Sequence, residues 1–302
     1  MSGPERILVT GANGNLGRAL CDRLARSGIR ACGLVRSERA AAAARAHASD
    51  VTVVDYADAD ALARAAEGCD AAVHLVGILK ETRASTYAAA HEASARALVA
   101  AAKQSGLRRA VYLSILGAHP GSGNACLASK GRAEAILLES PLATTVLRVP
   151  MVLGGDEPAS RALRARARSR WALLARGGAS LEQPIDVDDV VSAIVAAMDR
   201  PELAGRALDL AGPESLSRRD LVLRAGAILG NRPRIVPVPL AALQLVAAAA
   251  ERLFADPPLT TAMLGVLEHD DAIDPAPAAR ALGLALTPLD ATLRRCLGAA
   301  PS

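Results

Sequence analysis

Over the first 150 residues, short apolar runs alternate with stretches in which apolar residues recur every three or four positions. This order is expected of parallel strands covered by helices on both faces. The runs predict strands at 6–10, 30–36, 51–54, 71–76, 109–114 and 144–149. Between the first two, Leu16, Leu20 and Leu24 fall on one side of a helix that Gly28 is placed to stop. Further helices are predicted at 88–104, 128–139, 187–199, 217–229 and 240–254. After Pro150 the alternation weakens and Gly154-Gly155, Gly177-Gly178 and Pro237 to Pro239 punctuate the chain. The expected architecture is α/β: a Rossmann-type doubly wound parallel sheet over 1–155, then a smaller C-terminal substrate lobe over 156–302. Part of 180–212 is expected to return to the first unit.

Composition narrows this picture. A chain of 302 residues that is 51% hydrophobic can bury a large core, but only 2% of it is aromatic, so Leu, Val, Ile and Ala must fill that core. Aromatic platforms for stacking bases are therefore not expected. The net charge of +4 arises from 32 Arg and 3 Lys against 31 acids, too mild an excess to imply nucleic acid. Cys21, Cys32, Cys69, Cys126 and Cys296 are odd in number and form no CxxC pair, which points to a reduced, cytoplasmic protein. The first apolar run, Ile7 to Val9, is too short for a signal-peptide core.

The most lipophilic later stretch, Leu240 to Phe254, is interrupted by Gln244, Glu251 and Arg252 and is shorter than the ~20 residues of a membrane span. It is expected to pack on the core, with peripheral membrane contact as the alternative. The histidines His47, His74, His91, His119 and His269 stand in no HxH or HxxxH relation, so no metal site is expected. Asp186, Asp188 and Asp189 read as the acidic opening of a helix. Six arginines between Arg161 and Arg176 with no acid among them are expected to form a solvated helix face. The alternatives are an anionic substrate, a phospholipid surface or an acidic partner.

The chemistry is concentrated at Thr10-Gly11-Ala12-Asn13-Gly14-Asn15-Leu16-Gly17, three glycines at GxxGxxG spacing between a strand and a helix. Gly11 permits the tight turn, Gly14 leaves the pyrophosphate unobstructed and Gly17 lets the helix approach the sheet. Thr10, Gly11, Asn13, Gly14, Asn15, Leu16 and Gly17 are therefore candidate cofactor contacts, with the N–H groups of the helix start facing phosphate. The residue ending the second strand is Arg36 rather than an acid. A guanidinium cannot accept a hydrogen bond from a ribose hydroxyl but pairs well with a 2′-phosphate. Arg36 with Ser37 thus favours NADP(H) over NAD(H).

Together with Leu34 to Ser37, Val54-Asp55, His74 to Ile78, Leu113-Ser114, Arg148 to Pro150 and Gln183 to Val190, this loop resembles the extended or atypical short-chain dehydrogenase/reductases. Within them it is similar to the NmrA-like branch and to bacterial relatives of the nucleotide-binding accessory subunit of respiratory complex I. The resemblance places Asp55, with Tyr56 beside it, at the adenine. It places Leu75, Val76 and Gly77 along the adenosine and ribose, and Pro150, Met151, Val152 and Leu153 by the nicotinamide. Family enzymes combine a Ser or Thr after the fifth strand with Tyr-x-x-x-Lys on the next helix. Ser114 and Lys130 match, but Cys126 stands where the tyrosine belongs. Lys130 is the expected ribose contact, and Tyr87 is a further candidate proton source.

The expectation is an NADP(H)-binding oxidoreductase acting on a small, apolar carbonyl or quinone-like compound. The alternative is a cofactor-bound, non-catalytic sensor or assembly protein. Neither a nucleic-acid partner nor a transmembrane segment is expected, and the oligomeric state is left open.

Overall fold

A computed structural model describes residues 4–83, 85–155 and 157–298. Asp156, where the second lobe is expected to begin, lies outside the described residues. The first half runs β1 (Arg6–Thr10), α1 (Asn15–Arg26), β2 (Arg30–Val35), α2 (Glu38–Ala44), β3 (Asp50–Val53), α3 (Ala59–Ala66) and β4 (Ala71–His74). A π-helical turn, Ala88–Ala93, then leads into α4 (Ser94–Ser105), followed by β5 (Arg109–Ile115), α5 (Ala125–Leu138) and β6 (Ala143–Val149). The second half comprises β7 (Val152–Leu153), α6 (Pro158–Arg168), β8 (Trp171–Ala175), β9 (Leu181–Glu182), β10 (Ile185–Asp186), α7 (Val187–Met198) and β11 (Ala207–Asp209). It ends with β12 (Leu216–Ser217), α8 (Arg218–Ile228), β13 (Arg234–Val238), α9 (Leu240–Leu253), α10 (Thr261–Leu267), α11 (Ala276–Leu282) and α12 (Leu289–Leu297).

The main sheet has seven strands in the order β11-β6-β5-β4-β1-β2-β3, every neighbouring pair parallel. The strand order reverses between β1 and β4, which opens a crevice at their carboxyl ends. β1 is an interior strand, and its residues Ile7 to Thr10 are fully buried, as a strand covered on both faces must be. On one face Ile7 and Val9 pack with Leu20 and Leu24 of α1 and with Val190 and Ile194 of α7. On the other, Leu8 and Leu34 pack with Leu62 of α3, Leu98 of α4 and Leu137 of α5. A third core, built around Leu153, Leu163, Leu174, Leu221 and Leu293, belongs to the C-terminal elements.

Three sequence expectations are corrected. The arginine-rich segment is not one helix: α6 stops at Arg168, and Ser169 turns the chain through its hydroxyl, which accepts from the Trp171 N–H at 3.2 Å, into strand β8. Two helices, α2 and α3, lie where none is expected, because Ala-rich segments carry no Leu stripe. Ser37 and Asp58 cap them by accepting backbone N–H bonds. Finally, α9 does not pack on the core: it buries only Ala247 and Ala250, while Leu245 is 73% and Val246 60% exposed. Among the described residues no helix is long and apolar enough to cross a membrane.

Candidate functional site

The β1–α1 turn is shaped by what its glycines lack. Gly11 sits at φ +74°, and its N–H donates to Leu34 O at 3.0 Å and to the Tyr56 hydroxyl at 2.9 Å. The Tyr56 hydroxyl itself donates to Leu34 O at 2.7 Å, so this side chain holds the loop against β2. A Cβ on Gly17 would come within 2.3 Å of Gly11 O, so only glycine lets α1 start this close to the loop. The N-cap of α1 is Gly14, which makes no side-chain cap bond among the described residues, and the positive end of the helix beside it suits an anion.

Beside this loop runs a cleft of about 880 Å³. It brings together Gly11, Asn13, Gly14, Arg36, Ser37, Asp55, Tyr56, Leu75, Val76 and Gly77 from four strand ends, as a dinucleotide pocket at a topological switch point would. Arg36 is exposed at the rim, its guanidinium donating to Ser85 Oγ at 3.3 Å. The Ser37 hydroxyl caps α2 by accepting from the Ala40 N–H at 3.2 Å.

Other candidates lie behind or away from this cleft. Thr10 is fully buried; its hydroxyl accepts from the Leu75 N–H at 3.2 Å and lies 2.9 Å from His74 Nδ1. Leu16 packs against the core beneath the loop, and Asn15 Oδ1 accepts from Arg18 at 2.5 Å. Pro150, Met151, Val152 and Leu153 do not line the cleft: Leu153 is fully buried in the C-terminal core, with Met151 packed against it.

Lys130 is a buried charged group at the site. Its ammonium is buried beneath the cleft floor and donates to Leu113 O at 2.9 Å, lying 4.6 Å above the Tyr112 ring. Burial lowers its pKa from 10.5 to about 8. A Cβ on Gly77 would approach Nζ to 2.9 Å, so Gly77 makes room for the lysine, a role beyond close approach of a ligand. The Ser114 hydroxyl is buried and without a hydrogen-bond partner among the described residues.

Cys126 is fully buried, its thiol facing Ile78 O at 3.6 Å and pushed up to about 11 by burial. The Tyr87 phenol lies beside both Cys126 and Thr260, donates to Leu79 O at 2.8 Å and is raised above its ordinary pKa, mainly by burial. Tyr87 also lines a second cavity of about 570 Å³, together with Ala125, Leu253, Phe254 and Thr260. Thr82 borders both spaces.

Two histidines at the site had no assigned part in the sequence reading. His74 is fully buried, with Nε2 3.2 Å from Ser94 Oγ, and His91 accepts from the Ile78 N–H at 3.1 Å. Desolvation, then the Lys130 charge, lowers both pKa values to about 3, so both rings are neutral at physiological pH. With Nε2 of His91 accepting, the ring proton resides on the buried Nδ1, which has no partner among the described residues. The readable signal was a lone histidine inside an apolar strand, at the register position of Thr10.

Residues 11–201, well over half of the chain, match a family described as NAD(P)H-binding. The chain belongs to this family. The NAD(P)H-binding protein is 26% identical over 233 residues to the ceramide reductase of Caulobacter vibrioides, covering 77% of this chain and 73% of that one. It is 27% identical over 256 residues to the mitochondrial NADH dehydrogenase [ubiquinone] 1 alpha subcomplex subunit 9 of Arabidopsis thaliana, covering 80% of this chain but 62% of that relative's length. These likenesses support the relationship to extended short-chain dehydrogenase/reductases and to the complex I accessory subunit. Among solved structures, gox2253 superposes with a TM-score of 0.78 at 22% identity, covering 97% of both chains. MoeE5 in complex with UDP-glucose and NAD gives 0.73 at 19%, again over 97% of both. At such identities the likeness bears on the fold.

The residues present fit a nicotinamide dinucleotide. The glycine turn opens the cleft beside the N-terminus of α1, Arg36 offers cationic donors at the rim, and the Lys130 ammonium lies behind Gly77.

Proposed function

We propose that this protein is an NADP(H)-dependent reductase or dehydrogenase of a small, apolar carbonyl or quinone-like compound. The observation that carries this reading is the second cavity of about 570 Å³, which shares Thr82 with the dinucleotide cleft and has the Tyr87 phenol in its wall. A cofactor carrier has no need of a second space beside the cleft; a reductase does.

In this reading the guanidinium of Arg36 and the hydroxyl of Ser37 hold a 2′-phosphate, and the N-terminus of α1 holds the pyrophosphate. Bound NADPH supplies the hydride that a carbonyl carbon receives. Lys130, fixed under Gly77, orients the ribose side and sets a positive potential below the cleft. The proton for the substrate oxygen comes from water or from the Tyr87 phenol, once that phenol is released from Leu79 O, because the Cys126 thiol is shorter than a phenol and fully buried. A phenol on the helix entering α4 thus stands in for the one missing from α5.

The burial of Cys126 at the position of the family tyrosine favours a second reading, a non-catalytic NAD(P)H-binding sensor or assembly protein, in keeping with the complex I likeness. The deciding experiment follows NADPH oxidation by purified protein across a panel of quinones and ketones. Turnover that falls more than tenfold in both Tyr87→Phe and Lys130→Ala supports the reductase. NADPH binding with no turnover on any compound refutes it in favour of the second reading.

A further inference from the structure

Helix α9 is apolar on the side that faces away from the protein. Ala242, Leu245, Val246, Ala249 and Leu253 recur at i, i+3, i+4, i+7 and i+11, and all five are exposed. Burying so little of a 14-residue apolar helix leaves a surface that water solvates poorly. Of the eight large hydrophobic side chains exposed in the described residues, six lie from Trp171 to Phe254, so the apolar surface is concentrated in that part of the chain. Strand pairing brings its two segments together: β13 lies parallel to β8, with Arg234 opposite Trp171, and runs through Pro239 directly into α9.

The exposed charge near this surface is mainly basic. Arg168, Arg170, Arg232, Arg234 and Arg252 are exposed, and of the acids on and just after α9, Asp256 is paired with Lys80. Glu251 is engaged by Thr261, whose N–H donates to it at 2.7 Å. The guanidiniums of Arg170 and Arg234 lie 5.6 and 5.5 Å from the Trp171 ring, which is half exposed. An amphiphilic indole between cations, beside an exposed apolar helix rich in neighbouring arginine, matches the chemistry of a bilayer interface with anionic headgroups.

We infer that α9 and the β8–β13 edge form a docking surface for an anionic phospholipid bilayer, on which α9 lies flat with Leu245, Val246 and Leu253 in the acyl boundary. The second cavity is lined by Glu251, Arg252, Leu253 and Phe254 from the end of this helix, so docking sets its mouth against the lipid. The surface does not depend on the reductase reading, because a bound sensor would dock in the same way.

Trp171 is the only tryptophan, so the unmodified chain carries its own probe. Its emission is recorded with vesicles of phosphatidylglycerol and phosphatidylcholine, with phosphatidylcholine alone, and with brominated lipid in the anionic mixture. The expected result is a blue shift and bromine quenching with anionic vesicles, and at least tenfold weaker binding to the neutral ones. In flotation, Leu245→Glu with Val246→Glu is expected to weaken anionic binding at least tenfold while NADPH affinity, which reports the intact fold, stays unchanged. Emission indifferent to vesicles, equal binding to both compositions, or unaltered flotation of the double variant overturns the proposal. So does sedimentation showing a dimer that the same double variant disperses, with no vesicle binding, since a second copy would then cover the helix.

Discussion

Lys130 should give the protein a dependence of stability on pH that a neutral isostere lacks. Its ammonium is buried, donates to a backbone carbonyl, and titrates at about 8 in the folded protein against 10.5 when solvated. Between these values the unfolded chain holds a proton that the folded chain has released, so raising the pH favours folding through this window and does nothing below it. Integrating the linkage for one group, stability rises by about 2.5 kcal/mol between roughly pH 7 and roughly pH 10, most of it above pH 8. Lys130→Met keeps the length of the side chain and removes the titration. The assay is urea unfolding of both proteins across this range; thiols and phenols titrate in both, so the difference between the two curves isolates Lys130. The expected difference grows by about 2 to 3 kcal/mol in favour of the unsubstituted protein as the pH rises. Parallel curves would mean that Lys130 titrates as a solvated lysine, and the picture of a buried ammonium under Gly77 would be wrong.

Arg36→Asp should remove the preference for NADPH over NADH in calorimetry, because a charge-assisted phosphate contact contributes ~1.5–3 kcal/mol, or more than tenfold in affinity. Equal affinities in the unsubstituted protein would refute the assignment. Gly17→Ala places a Cβ at 2.3 Å from Gly11 O and should cost about 1–3 kcal/mol of stability and weaken NADPH binding at least tenfold, measured by thermal unfolding and titration. Cys126→Ser should leave turnover within about tenfold, since the thiol faces Ile78 O; abolished turnover with intact NADPH binding would make Cys126 the acid. Replacing Arg164 and Arg168 by Gln should leave NADPH affinity unchanged while lowering stability, because Arg164 donates to Cys296 O at the end of α12.

The sequence by itself determined six of the seven strands of the main sheet and the glycine turn after the first. Six runs became β1 to β6 with ends shifted by no more than two residues; the interior strands read clearly because a strand buried on both faces must be mostly apolar, whereas the edge strand β3 is largely exposed. The glycine spacing was equally legible, since a positive φ at Gly11 and backbone contact at Gly17 exclude any side chain. Only the tertiary structure decided what faces what. That Tyr56 braces Gly11, that Gly77 makes room for Lys130 and that Tyr87 lies beside Cys126 are contacts between residues 39 to 53 positions apart, set by strand order and helix packing. The fate of α9 was hidden for the same reason. An apolar helix carries one pattern whether it lies in a core or on a surface, and the difference is the presence of a neighbour, which no local pattern encodes.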